Sequence, residues 1–442
     1  MAIEPQSSRA DELFARGRAV FPAGVTAAVR LDPALGRPFF AARGEGPYVY
    51  DQDGNRFIDL NMSFGASILG HGHPTLVARC TDALQKGVLC AFETDEQAAV
   101  AEKVVAHLPS VDLIRFTATG TETTWHAVRT ARVATGRQKI VKFEGHFHGY
   151  NDYLGFSTQP TVANLPEPAR VPDSQGIPPA MADTLMVLPF NDANALRRTL
   201  DEQGDQIAAV VTEPISFNAG GLRAQPGYLE LMRELTTRHG IVLMFDEILC
   251  GYRTGLDCMQ GYFGVTPDLC TLGKAIGAGM PLSAFGGKRW VMETVSPAGK
   301  ASHSGTYNAH PVVMAGAAAF FEEAEKPDFY PSLLAASQRL WTGLREIFAH
   351  QGIRAKVSAL GARGSILFGI DENAEVINYR QALARDPEMM RRFSLAAYRM
   401  GIHLQPGWHL GTSSAHTPEV VDDALDRLDS AAKTVAAGPS GT

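Results

Sequence analysis

Five apolar residues in a row, Ile241-Val242-Leu243-Met244-Phe245, end directly on Asp246 and Glu247. A segment this short and this uniformly apolar reads as a strand covered on both faces, the habit of parallel sheets. Just upstream, Pro226 and Gly227 open a helix-like run that Gly240 stops. Lys139-Ile140-Val141-Lys142-Phe143 and Ile207-Ala208-Ala209-Val210-Val211 carry further strand patterns, as do 268–272 and 282–285. Strands alternating with helices predict an α/β layer fold with a mainly parallel sheet.

The ends of the chain read differently. Tyr48-Val49-Tyr50-Asp51-Gln52-Asp53-Gly54-Asn55-Arg56-Phe57 is a hairpin signature with its turn at Asp53-Gly54. Beyond about 311 the pattern is helical through 331–350, with short strands near 364–370 and a last helix over 418–436. Residues 172–179 read as a surface loop. We therefore expect a large α/β domain over 60–310. A smaller α+β domain would be built from 1–59 and 311–442.

A chain of 442 residues suits one large domain or two closely joined ones. Its 45% hydrophobic and 20% charged residues are those of a soluble globular enzyme. A net charge of −7 argues against nucleic acid or an anionic membrane as partner. No apolar run approaches the ~20 residues needed to span a bilayer, and residues 1–18 carry no signal core, so the cytoplasm is expected. The five cysteines include no Cys-x-x-Cys pair. Reduced structural thiols are expected, and no metal, even at His71-Gly72-His73 or His146-Phe147-His148.

The chemistry starts at Asp246. A carboxylate ending an apolar strand is costly to bury unless it meets a cation, and strand carboxyl ends are where open α/β sheets place ligands. Thr119-Gly120-Thr121-Glu122 precedes a helix-like run, Thr123 onward. Small hydroxyl residues and a glycine there offer N–H and O–H donors to an anion, although a plain N-cap has the same appearance. Phe147, after the strand 139–143, offers an aromatic face to a planar ligand or to the core. Lys274 stands in Leu272-Gly273-Lys274-Ala275-Ile276-Gly277-Ala278-Gly279-Met280-Pro281, where a desolvated amine can act as a nucleophile. A carboxylate for a ring nitrogen, a helix start for a phosphate, an aromatic face and an amine together describe pyridoxal 5'-phosphate held by a lysine Schiff base.

Asp246-Glu247-Ile248 followed by Leu272-Gly273-Lys274-Ala275-Ile276-Gly277 resembles the class III aminotransferase signature. Gly70-His71-Gly72-His73-Pro74, the block 116–132, the block 143–149, Glu213-Pro214 and Gly305-Thr306 also resemble blocks of that family. The resemblance implies fold type I and a homodimer with shared active sites. It implies that Gly120 and Thr121 bind the phosphate, that Phe147 and Ile248 cover the two ring faces, and that Glu213 lies near ring and substrate. Thr306 would reach the phosphate of the partner subunit.

Within the family the chain is most similar to glutamate-1-semialdehyde aminomutases and D-phenylglycine aminotransferases. Gly24-Val25-Thr26-Ala27-Ala28-Val29-Arg30 resembles their substrate-binding segment, which makes Arg30 the candidate for a substrate carboxylate. The chain departs from the mutases at Ala118, Thr119, Phe64 and Trp125, and Gln405-Pro406-Gly407-Trp408-His409-Leu410-Gly411 contains no acid. These departures favour transamination between an amino acid, α or β, and an oxo acid. The alternatives are the aminomutase reaction and a related isomerisation or racemisation. Phe64, Trp125 and Trp408 are candidates for an apolar or aromatic pocket wall. No second arginine lies between 401 and 416, and Arg363 is a remote candidate for that role.

Overall fold

The computed structural model describes residue 3 and residues 8–160, 170–404 and 409–437. The chain forms two compact units. One comprises residues 75–327 and 375–383, the other 1–74, 328–374 and 384–442.

The larger unit is built on a seven-stranded sheet in the order Leu113–Thr117, Ser283–Gly287, Leu269–Leu272, Val242–Glu247, Ile207–Thr212, Lys139–Phe143, Leu185–Leu188. Every pairing is parallel except the two made by Ser283–Gly287. Ile207–Thr212 and Val242–Glu247 are buried along their whole length, as their continuous apolar sequences predict. Ala127, Val128 and Ala131 of the helix Gly120–Thr135 pack with Val211, Met244 and Leu269 of the sheet in one core cluster. The helix Tyr228–His239 ends on Gly240, whose φ of 61° is the left-handed cap that glycine adopts without strain.

The boundaries fall beyond the expected 60 and 310, and side-chain ties explain the second shift. The helix Pro311–Ala324 is buried on nearly every face, so it needs partners all round. Thr75 donates to Glu323 at 2.5 Å and Arg79 to Glu322 at 2.7 Å. Residues 375–383 then return to the larger unit. Arg380 makes a two-pronged pair with Glu144 at 2.8 and 3.0 Å, and Asn191 Nδ2 donates to the Ile377 carbonyl at 2.8 Å.

The smaller unit holds a four-stranded sheet, Ala41–Glu45, Tyr48–Asp51, Arg56–Asp59 and Ile402–His403. The first three are the expected hairpin and its neighbour; the last adds in parallel. A three-stranded sheet follows, Ala355–Leu360, Arg363–Phe368 and Leu410–Gly411. The helices Phe329–His350, Pro387–Arg399 and Pro418–Ala436 share a core that includes Leu344, Phe348, Phe368, Phe393 and Leu428.

Asp59 anchors this unit. Its buried carboxylate accepts from His71 Nε2 at 2.8 Å and His403 Nδ1 at 2.9 Å, and from the N–H groups of Asn61 and Met62. Burial pushes its pKa up, but the His403 and His71 contacts outweigh burial and hold it below the usual carboxylate range. A depressed folded-state pKa means this stability is present above ~4 and is lost as pH falls further. Asp59→Ala strands several buried donors and is expected to cost about 3 kcal/mol. Urea unfolding at pH 7 checks this; a loss below about 1 kcal/mol would show that Asp59 is not an anchor.

Among the described residues, no helix is long and apolar enough to cross a membrane, and no cluster of His, Cys, Asp and Glu is arranged to hold a metal ion.

Candidate active site

The groups singled out in the sequence converge at the carboxyl ends of the parallel strands. Asp246 lies within Val242–Glu247 and is 3% exposed. Its Oδ2 lies 2.7 Å from His148 Nδ1. Its Oδ1 accepts from Thr271 Oγ1 at 2.9 Å and from the Ile248 N–H at 3.1 Å. Thr271 stands beside Asp246 because the two strands pair in that register. Burial, the largest influence, lowers the pKa of His148 despite the neighbouring carboxylate. The buried Asp246 is thus met by neutral donors rather than by a cation.

Glu213 follows the strand Ile207–Thr212. Its Oε1 accepts the Phe147 N–H at 2.9 Å and the Ser216 hydroxyl at 2.9 Å. Burial first, then the Asp246 charge, push its pKa up to about 8, against the opposing pull of Phe147, Ser216 and the Lys274 ammonium. Burial thus favours the protonated form of Glu213. Through its hydrogen bond it fixes the backbone of the half-buried Phe147.

Lys274 opens a short 3-10 turn, Lys274–Gly277, directly after the strand Leu269–Leu272 and Gly273. Its φ is 48°, a left-handed conformation that costs a non-glycine residue ~1–2 kcal/mol. Such strain tends to persist where the surroundings over-determine a functional residue. Gly120 and Gly273 both face Ile248. A Cβ on Gly120 would come 2.9 Å from Ile248 Cδ1, and one on Gly273 3.1 Å from Ile248 Cγ2.

The helix expected from about Thr123 begins at Gly120, with Thr119 as N-cap accepting the Glu122 N–H at 3.2 Å. The N–H groups of Gly120 and Thr121 therefore open a helix of 16 residues, where backbone donors have no partner within the helix. Thr121 Oγ1 accepts the Tyr150 N–H at 3.1 Å, and Thr124 donates to the His148 carbonyl at 2.6 Å. The helix start and the loop after Phe143 are thus pinned together.

The other candidates have surroundings of their own. Thr306 lies in an exposed segment beside Tyr307, itself 68% exposed. Arg30 and Phe64 belong to the smaller unit. Arg30 is exposed and bonds to Thr26 Oγ1. Phe64 is half-buried in a turn where Met62, Ser63 and Phe64 all have positive φ, pinned by the Asn61 side chain at 2.7 Å. Trp408 lies outside the described residues. Arg363 is fully buried and donates to the Asn61 carbonyl and to His409. Trp125 is exposed, with the Arg129 guanidinium over its ring. His148 and Thr271 were not singled out as partners of Asp246. The signal available for them was the aspartate itself, since a carboxylate at the end of an apolar strand demands donors.

A family model described as aminotransferase class-III matches residues 32–404. The chain belongs to the class III aminotransferases. A glutamate-1-semialdehyde 2,1-aminomutase from Pyrobaculum islandicum is 38% identical over 421 residues, covering 95% of this chain and 97% of the relative. The crystal structure of an omega-transaminase from Sphaerobacter thermophilus matches with a TM-score of 0.91 at 34% identity, covering 98% of this chain and 99% of that one. A beta-phenylalanine aminotransferase from Variovorax paradoxus matches with a TM-score of 0.86 at 27% identity, over 96% and 93% of the two chains. This class III enzyme has the fold type I architecture, and its cofactor is pyridoxal 5'-phosphate. The residues present fit that cofactor. A buried carboxylate is backed by neutral donors, a helix start presents free N–H groups, and two glycines leave room beside Ile248.

Proposed function

We propose that this class III enzyme is an aminotransferase that moves an amino group between an amino acid and an oxo acid, acting as a cytoplasmic homodimer. The observation that carries the reading is the placing of Lys274 just beyond the strand that pairs with the strand of Asp246. A proton-moving amine and a fixed negative charge then flank one place. The acid-free stretch 405–411 and the likeness to the omega-transaminase support transamination over mutation.

When bound, pyridoxal phosphate supplies an aldehyde for the substrate amine and a ring that accepts electrons from the carbon bearing it. Asp246 keeps a proton on the ring nitrogen, since an adjacent opposite charge favours the charged form. The N–H groups of Gly120 and Thr121 and the Thr121 hydroxyl would hold the phosphate at the positive end of the helix. Phe147 and Ile248 would flank the bound ring. Lys274 would carry the cofactor, take the proton from the substrate carbon and, as general acid, deliver it to the cofactor carbon that gains the amino group. Glu213, protonated, holds Phe147 in place near ring and substrate. Thr306 would reach the phosphate of the partner subunit.

Arg30 is our candidate for the substrate carboxylate, and Phe64 for an apolar contact with the substrate. Arg30→Ala is then expected to raise KM for carboxylate-bearing donors about tenfold to a hundredfold, the scale of a lost charge-assisted hydrogen bond. Simple amines should be little affected. Steady-state kinetics on matched pairs of donors check this, and equal losses on both would reject the role.

The aminomutase reaction is the second reading, favoured by the 38% identity to the Pyrobaculum islandicum relative. Adding an amino donor alone separates the two. An aminotransferase passes the amino group to the cofactor and stops, with a lasting loss of visible absorbance. A mutase turns over one substrate with no second substrate present, and that result would replace the first reading.

A further inference from the structure

The two histidines of His146-Phe147-His148 face opposite demands at Nδ1. His146 Nδ1 accepts the backbone N–H of Glu213 at 3.1 Å. His148 Nδ1 lies 2.7 Å from Asp246 Oδ2, an acceptor, and so carries the hydrogen of that bond. A neutral imidazole has one donor nitrogen and one acceptor nitrogen. His146 therefore bears its hydrogen on Nε2, while His148 keeps a lone pair on Nε2. Burial, the leading influence on both, lowers both pKa values and keeps the rings neutral at pH 7.

The rings are 0% and 1% exposed, and among the described residues neither Nε2 has a hydrogen-bond partner. Leaving two such buried atoms unsatisfied is costly, because neither can reach bulk water. The ring centroids are 6.0 Å apart, with the planes at 66°. Neighbouring buried rings, one with an orphaned donor and the other with an orphaned acceptor, suit one bridging molecule that accepts from the first and donates to the second. Buried waters commonly satisfy polar groups in this way.

We propose that one water molecule is lodged between His146 Nε2 and His148 Nε2, and that His146 acts through it as a positioning residue that holds His148 as a neutral Nδ1–H donor to Asp246. A water whose oxygen is engaged by His146 turns a hydrogen toward His148 Nε2. A proton can be added there only if that water reorients. The charge of Asp246 is then not cancelled by an adjacent imidazolium. Around His148, the charges of Asp246 and Asp173 favour its protonation and buried Lys142 opposes it; the water adds to that opposition. The consequence for catalysis rests on Asp246 as the partner of the ring nitrogen. The water and the histidine charge states do not.

A high-resolution crystal structure is expected to show one ordered water within ~3 Å of both Nε2 atoms, with or without cofactor. The result that overturns the site is no water there, with the His146 N–H turned into the ring of Phe190, whose centroid lies 4.6 Å away. The positioning role is read separately by 15N-histidine NMR on the cofactor-free protein. In H146F, which removes the donor, the titration of His148 is expected to move up by about one pH unit, the scale of one hydrogen bond. In H146Q, which restores a donor near the Nε2 position, it is expected to return toward wild type. An unmoved midpoint in H146F refutes the positioning role. The crystal readout needs no variant, so misfolding of H146F leaves the water site open to refutation. Neither readout uses turnover, so failure of the aminotransferase reading is seen independently.

Discussion

Replacing Lys274 by Ala is expected to abolish the visible absorbance of the lysine-bound cofactor and to lower turnover by about three orders of magnitude or more. Loss of a positioned acid–base group alone costs ~10²–10⁴, and here the same amine also carries the cofactor. The fold should survive. Alanine keeps the Cβ that the left-handed conformation at φ 48° already accommodates, so backbone strain is little changed. One side effect has a definite sign. In the cofactor-free protein the Lys274 ammonium lowers the Glu213 pKa, so its loss moves that pKa further up. Absorption spectra of the loaded variant and single-turnover rates measure the first two effects. A visible band identical to wild type would remove Lys274 from the mechanism.

Asp246→Asn is expected to reduce turnover by about 10²–10³, the range for removing one fixed electrostatic group from a site that stabilises developing charge. Asparagine keeps the shape and still accepts from Thr271 and Ile248. It loses the negative charge and places an amide beside the His148 Nδ1 hydrogen. Asp246→Ala should lose at least as much activity. It should also be less stable by about 1–3 kcal/mol, because the buried His148 Nδ1–H, Thr271 hydroxyl and Ile248 N–H lose their acceptor. Rates and denaturant midpoints for the pair separate charge from structure. If Asp246→Asn stays within tenfold of wild type while Asp246→Ala unfolds early, the carboxylate is a structural acceptor only.

The site was legible wherever local sequence and burial made the same demand. An uninterrupted apolar run could only be a covered strand, so an aspartate at its end had to be satisfied at the sheet's carboxyl edge. Glycine at position 240 marked a helix end because that cap needs a positive φ. The helix over 418–436 was readable from its periodicity and matches Pro418–Ala436. Less was visible where the cause lies far away in the chain. Nothing near Glu144 announces Arg380, 236 residues on. Nothing local to Ser283–Gly287 says that it runs against its neighbours, because direction is decided by which strand edge receives it. The left-handed run Met62-Ser63-Phe64 is composed of residues that disfavour that conformation. It is held by contacts from Asp59, Asn61 and Arg363.

By itself the sequence determined the layer architecture, the cofactor chemistry and the positions at which a buried carboxylate, an amine and a helix start would stand. Burial periodicity and the special conformations of glycine are local properties, and residue order records them directly. The tertiary structure alone decided the partners. It set His148 and Thr271 on Asp246, raised the Glu213 pKa by burying it beside that charge, and brought the rings of His146 and His148 to 6.0 Å of each other. Desolvation and hydrogen bonding depend on what the rest of the chain brings within a few ångströms, and no stretch of sequence carries that information.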